Sequence, residues 1–313
     1  MKKLFLLPIF IFSSSIVFSQ AVTKNPPDLA SENMKGNVQS FTETYYQVWQ
    51  TRAGKDSVGQ QWESPDRNYI MNFNEKGYIT WATFYKTGSI LDYRYEYKYD
   101  AGGNRIQETW FDADNALDYR ITRKFSEKGF LMEMKKYTDT TGACDEKTVY
   151  EPDPTGNPVK STLYDGNDAV LGTSTYKYDV YGNKIEEDDF DGKGKPTGKT
   201  LFTYNGQHLK TSEDAYTVND VVMTKKKFEY EYRGHLSQQQ NFDNTGKLVE
   251  KNVFTYNDQA DQSQWENFDR EGFTVYDYTY TYEYDSKGNW ITKNQLKDGK
   301  VVFVSKREIK YSN

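Results

Sequence analysis

The stretch "YKYDAGGN" at 97–104 returns as "YKYDVYGN" at 176–183 and as "YEYDSKGNW" at 282–290. Its first half alternates tyrosine with a charged residue, the period of a strand whose two faces differ. Its second half is a reversal. An aspartate side chain there can accept hydrogen bonds from the backbone N–H groups just ahead, and a glycine can take the positive φ that a tight turn demands. Asp100, Gly103 and Asn104 are therefore expected to be structural turn residues, as are Asp179, Gly182 and Asn183, and Asp285, Gly288 and Asn289.

Outward from this phrase the chain is periodic. Tyr85, Phe111, Tyr137, Tyr164, Phe190, Tyr216, Phe242 and Phe268 recur every 26 or 27 residues and lead into one family of turns. A second family lies about halfway between, marked by Gly77, Gly103, Gly129, Gly156, Gly182, Gly206, Gly234 and Gly288, with Ala260 where a further glycine is expected. Its leading aromatics include Phe73, Tyr99, Phe125, Tyr178, Tyr204, Tyr232, Tyr256 and Tyr284. Each unit then holds two strands of roughly eight residues and two turns, which is a β-hairpin.

The fold class that follows is all-β: about twenty antiparallel strands in successive hairpins, forming a long twisted, curled or rolled sheet. Laid flat at roughly 4.8 Å per strand, the sheet would extend about 100 Å. Right-handed twist is expected to coil it, with the tyrosine and phenylalanine face inside. Whether the sheet closes is not specified by the repeat. Composition agrees with a thin structure, since aromatics are 16% of residues while all hydrophobic residues together are only 36%. Tyrosine can pack its ring and keep its hydroxyl in water.

Residues 1–19, "MKKLFLLPIFIFSSSIVFS", carry two lysines, an apolar run, and Val17 and Ser19 at the positions a signal peptidase reads, so they are expected to be an export signal. Residues 20–33 read as a short leader and 34–313 as the repeat domain. Within it, 34–72 form a divergent first unit or cap. The last strand, "VVFVSKREIKY", carries charges that would discourage edge-to-edge association. Cys144 is the only cysteine, so no intramolecular disulfide can form.

The phrases quoted above resemble the YD repeats of the bacterial RHS family, and the resemblance covers roughly residues 34–313. It implies antiparallel hairpins in a long sheet that winds into a spiral or shell, as in cell-surface and toxin-delivery proteins. The chain is expected to differ from the toxin-holding members in lacking an added C-terminal toxin-like domain. The turns "YNGQH" at 204–208 and "YRGHL" at 232–236 are shortened forms of the phrase.

Candidate chemistry is sparse. His208 and His235 fall in corresponding turns of consecutive units, which stacking would hold roughly 9 to 10 Å apart, too far for one zinc ion. In "EEDDFDG" at 186–192, Glu186, Glu187, Asp188, Asp189 and Asp191 could surround calcium, but strand alternation sends neighbours to opposite faces. No nucleophile elbow, phosphate loop or zinc signature appears. The expectation is therefore a non-enzyme, with no catalytic residues, cofactor or metal.

Trp81, Trp110 and Trp265 follow turns of the second family and could form a strip that stacks on sugar rings. The net charge of −6, with lysines and acids interspersed, argues against nucleic acid. The expected function is a non-catalytic exported protein, periplasmic or extracellular, with no membrane span after signal removal. It would serve as a binding or scaffold surface for a protein or glycan of the envelope. The alternatives are part of a toxin-delivery system, an outer-membrane β-barrel and a glycan hydrolase.

Overall fold

The computed structural model describes residues 28–50, 56–61, 68–138 and 141–312. The expected signal peptide and residues 20–27 of the leader lie outside the described residues. One helical turn, α1 (Asp28–Ser31), precedes the strands β1 (Val38–Gln50), β2 (Asp56–Gln61), β3 (Tyr69–Phe73), β4 (Ile79–Lys86), β5 (Ile90–Tyr99), β6 (Arg105–Phe111) and β7 (Leu117–Phe125). The hairpins continue through β8 (Leu131–Tyr137), β9 (Glu146–Pro152), β10 (Pro158–Asp165), β11 (Val170–Tyr178), β12 (Lys184–Asp191), β13 (Pro196–Tyr204) and β14 (Lys210–Thr217). They end with β15 (Val222–Tyr230), β16 (Leu236–Phe242), β17 (Leu248–Tyr256), β18 (Gln262–Phe268), β19 (Thr274–Tyr284), β20 (Trp290–Lys297) and β21 (Lys300–Tyr311).

From β3 to β21 each strand pairs antiparallel with the next. The sheet then closes on itself, because β1 pairs with β21 from Val38 to Gln47 and with β3 from Ser40 to Glu43. Twenty strands, β1 and β3 to β21, thus form an all-β antiparallel barrel. The short β2 lies on the remaining end of β1, between Tyr46 and Gln50. β1, in the divergent first unit, is the closing strand, with both of its edges hydrogen-bonded. Closure corrects one expectation. The charges of the last strand do not guard an edge, since β21 lies between β20 and β1.

The turns of both families share one geometry. In 100–104 the N–H of Asp100 bonds the carbonyl of Asn104, the N–H of Gly103 bonds the carbonyl of Asp100, and Asp100 Oδ1 accepts the N–H of Asn104 at 2.8 Å. Gly103 has φ +90°, and the ladder shifts by one residue beside the turn. This is a three-residue hairpin loop with a bulge, and the left-handed position stands three residues after the capping side chain.

That count explains two departures from the glycine pattern. In "YNGQH" the cap is Asn205, so His208, not Gly206, takes the positive φ of 63°. In "YEYRGH" the cap is Glu231, so Tyr230 and not Tyr232 closes the strand. His208 and His235 accordingly occupy successive rather than matching turn positions.

Tyrosine hydroxyls tie each hairpin to the one before. Tyr178 donates to the carbonyl of Pro158, Tyr204 to Lys184, Tyr230 to Lys210 and Tyr256 to Leu236, each at 2.8 Å and each across 20 residues. One such bond contributes about 0.5–1.5 kcal/mol. The repeat therefore writes a tyrosine every 26 residues for a bond between units as well as for packing.

The segment before β1 shows which face is inside. Asp28 Oδ2 accepts the N–H of Ile79 on β4 at 2.7 Å, while Asn33 Nδ2 donates to Asp261 at 3.1 Å beside β18. Along the wall these anchors are six strand intervals apart, about 29 Å. Five residues span at most about 18 Å even when extended, and here they include a helical turn. The segment takes the short way across, so it runs on the concave side. The side chains it touches, Tyr99, Arg105, Met34's partner Arg307, and with them Phe41, Tyr95, Trp110, Trp265 and Tyr282, line the lumen. Residues 28–33, read from sequence as leader, are thus part of the barrel's interior.

The outer wall carries the other register. Arg94, Glu96 and Lys98 on β5 face water, and cations cover the rim aromatics: Arg94 over Phe111 at 3.7 Å, Arg120 over Tyr137 at 4.5 Å, Lys147 over Tyr164 at 4.7 Å and Lys251 over Phe268 at 4.5 Å. Lys199, which lies over Tyr216 at 5.6 Å in the same way, also reaches the next left-handed turn residue, Asp220, at 2.8 Å. A carboxylate that grips a neighbouring strand offsets the steric cost of a side chain at Asp220, φ +57°.

Candidate functional site on the inner wall

Most buried hydrophobic side chains gather at the seam where α1 and the segment after it cross β1, β3, β4 and β5. At its centre Arg307 on β21 donates to Glu43 on β1 at 2.9 Å, and its guanidinium lies between Trp290 at 3.7 Å and Phe41 at 4.5 Å. Burial alone would pull the Arg307 guanidinium down, but Glu43, Tyr69 and Glu32 outweigh it and hold it above its ordinary value. Glu32 keeps 27% exposure, yet burial of its carboxylate raises its pKa against the opposing pull of Arg307. Tyr69, which donates to Glu43 at 3.0 Å, is pushed well up by burial and by that carboxylate. This group is a closure device, and its partners are all satisfied from within.

Away from the seam, the inner wall of β4 to β7 presents an aromatic row. Ring centroids run from Phe84 to Tyr93 at 4.4 Å, Tyr93 to Trp110 at 5.7 Å and Trp110 to Tyr119 at 5.6 Å, all stacked. Tyr95 and Tyr97 add a second tier, Tyr95 lying 4.9 Å from Trp110. Period-two alternation puts these rings on one face, and antiparallel register sets Trp110 opposite Tyr95 and Tyr119 opposite Trp110.

Polar groups flank the row. Glu108 accepts from Trp110 Nε1 at 2.8 Å and from Arg123 at 3.1 Å, and Arg105 stacks on Tyr97 at 3.8 Å. The Arg123 Nη1 atom is buried without a hydrogen-bond partner, a donor in want of an acceptor. Burial, partly offset by Arg105, pushes the Tyr97 phenol up to about 12, and burial raises Tyr119 as well. These hydroxyls are therefore proton donors throughout the physiological range.

A second luminal patch lies on β16 to β19. Trp265 donates to Asn252 at 2.8 Å and stacks on Tyr276 at 5.5 Å, while Asn267 donates to Glu250 at 2.8 Å and to Asn252 at 3.0 Å. Its polar atoms satisfy one another, and Trp265 is only 8% exposed.

The structure does not bring the three tryptophans together. Trp81 pairs with Glu96 on the outer wall, whereas Trp110 and Trp265 are luminal and eight strand intervals apart by the shorter way. A single strip made of all three does not form, because Trp81 has the opposite strand parity. The acidic run divides as alternation requires: Glu187 and Asp189 share the luminal register, and Glu186 and Asp188 the outer one. Among the described residues no cluster of three or more His, Cys, Asp or Glu could hold a metal ion, and no helix is long and apolar enough to cross a membrane. Cys144 sits in the loop between β8 and β9, where its Sγ contacts the carbonyl of Glu146 at 3.1 Å.

The turn aspartates are held by their own loops. Burial pulls the Asp179 carboxyl up, but hydrogen bonds from the Asn183 side chain and from the N–H groups of Asn183 and Tyr181 outweigh it, and the net position is below the usual carboxylate value. Asp100 and Asp285 are lowered against burial in the same way, Asp100 by Asn104 and the loop N–H groups, Asp285 chiefly by the Tyr311 hydroxyl. In all three the Oδ1 atom is committed to the turn, while Asp285 Oδ2 accepts from Tyr311 on β21.

No family model matches the chain, and no curated protein matches it. Solved structures do. One is the Tc holotoxin pore of Photorhabdus luminescens, at 12% identity and TM-score 0.31 over 82% of this chain, which spans 16% of the length of that one. Another is a porin-like protein of Bacteroides uniformis, at 11% identity and TM-score 0.32, covering 88% of this chain and 98% of that one. A porin-like protein of Bacteroides vulgatus stands at 10% identity and TM-score 0.32, covering 88% and 99%.

Proposed function

We propose that this is an exported, non-catalytic barrel that binds an elongated ligand along its inner wall, with a glycan of the cell envelope as the ligand class. The observation that carries the reading is the Tyr93, Trp110 and Tyr119 platform, three stacked rings beside the unpartnered Nη1 of Arg123. Sugar rings offer apolar faces to such a platform and hydroxyls to the Glu108–Arg123 pair beside it. Export rests on the apolar run that follows Lys2 and Lys3.

Charges such as Arg94, Glu96 and Lys98 on the outside support a barrel surrounded by water, because a lipid-facing band must be apolar. A second reading, a shell that encloses a polypeptide as RHS-like toxin-delivery proteins do, is favoured by closure itself.

Titration with a panel of envelope glycans, followed by tryptophan fluorescence, tests the proposal. Trp110→Ala is expected to weaken binding about tenfold or more, and Trp81→Ala on the outer wall to leave it unchanged. Equal binding by native chain and Trp110→Ala would contradict the luminal site. A polypeptide that copurifies with the chain, together with silence across the glycan panel, would transfer the assignment to the shell.

A further inference from the structure

The barrel already shows how one of its turns holds a peptide. At the β19–β20 turn, Asn289 Oδ1 accepts the N–H of Lys35 at 2.6 Å and its Nδ2 donates to the carbonyl of Lys35 at 2.8 Å. The side-chain amide thus pairs with both polar groups of one residue in a passing segment, as a strand would. The other Nδ2 hydrogen goes to Tyr311, which passes the contact to the cap Asp285.

The β11–β12 turn carries the same phrase, and its Asn183 is 1% exposed. One Nδ2 hydrogen of Asn183 goes directly to its cap, Asp179, at 2.8 Å. The other meets His208 Nδ1 at 3.2 Å, so the imidazole nitrogen stands where the Lys35 carbonyl stands at Asn289. Nothing takes the place of the Lys35 N–H: Asn183 Oδ1 is buried without a partner. The hook is half filled.

Its surroundings are also unlike the rest of that rim. The segment after α1 covers the turns next to the seam, while the β11–β12 and β15–β16 turns hold Val180 at 93%, Tyr181 at 63% and Tyr232 at 83% exposure. A shallow cavity of about 390 Å³ opens between the β11–β12 and β13–β14 turns, lined in part by Asn183, Tyr181 and His208. Tyr181 packs against the His208 ring, centroids 4.5 Å apart, and the two together cover the site.

We infer that the Asn183 turn is a docking site for an extended polypeptide segment of a partner, whose backbone N–H and C=O pair with the Asn183 amide after the His208 ring swings aside. Tyr181, Val180 and Tyr232 then receive the segment's side chains. The inference concerns the rim and is independent of what the lumen binds.

The test uses fluorescence anisotropy of a labelled peptide with the sequence of residues 28–37, DLASENMKGN, titrated with the chain. Glycine is the natural occupant of the left-handed position in sister turns, so His208→Gly removes the cover and keeps the loop. His208→Gly is expected to bind the peptide about tenfold more tightly than the native chain. Asn183→Ala introduced into His208→Gly is expected to abolish that gain, with thermal melting confirming the fold. A His208→Gly chain that binds no better than native, or a gain that survives loss of the Asn183 amide, would overturn the inference.

Discussion

Replacing Arg307 by methionine is expected to cost about 3–5 kcal/mol of folding stability, because it leaves the Glu43 carboxylate buried without its counter-charge. Both side chains are nearly inaccessible, 6% for Arg307 and 9% for Glu43. Glu32, itself raised by burial, also loses the one cation that draws it back. The pair joins residues 264 positions apart in sequence, across the seam that makes a ribbon into a barrel. Urea unfolding followed by tryptophan fluorescence measures the effect. If methionine at 307 is tolerated within about 0.5 kcal/mol, the ion pair does not hold the seam. The double variant Arg307→Met with Glu43→Leu is expected to recover part of the loss, since it removes both charges rather than stranding one.

The second large effect is steric. Phe41 on β1 is 1% exposed, with Tyr69 at 5.6 Å, Phe73 at 6.0 Å and the Arg307 guanidinium on its face at 4.5 Å. Phe41→Ala is expected to destabilise by about 3–5 kcal/mol, the transfer and cavity cost of a buried ring. The same urea experiment reads it. Because Phe41 touches Arg307, the two variants combined are expected to cost less than the two costs added. Strict additivity would show that the ring and the ion pair stabilise separate regions.

Much of this architecture is written in the repeat. A tyrosine every second residue in "YRYEYKY" sets strand, face and length, and the cap three residues before a left-handed position sets the turn. The errors of detail come from reading glycine rather than the cap. Asn205 places His208, not Gly206, at positive φ, and Glu231 makes Tyr230, not Tyr232, the strand end, since the side chain that binds the loop N–H groups fixes the count. Closure was not legible, because it depends on β1, which departs from the repeat, and on a pairing between the first and last strands. Glu43 and Arg307 look like ordinary polar positions of alternating strands until that pairing sets them side by side. The aromatic row was half visible: Trp110 stood out, but its neighbours Tyr93 and Tyr119 are set by register rather than spacing. Asn183 carried no signal beyond its turn, since its unpaired Oδ1 stands out only by contrast with Asn289 and Lys35.

The distance between the first and last strands decides whether the sheet closes. Thr44 on β1 and Lys306 on β21 are direct partners, and spin labels at these two positions, in a chain with Cys144→Ser, report their separation by double electron–electron resonance. A closed barrel predicts a narrow distribution centred below about 20 Å, whereas twenty strands left as an open sheet would hold the labels up to about 90 Å apart. A distribution centred near the longer distance would contradict closure and, with it, the existence of an inner wall.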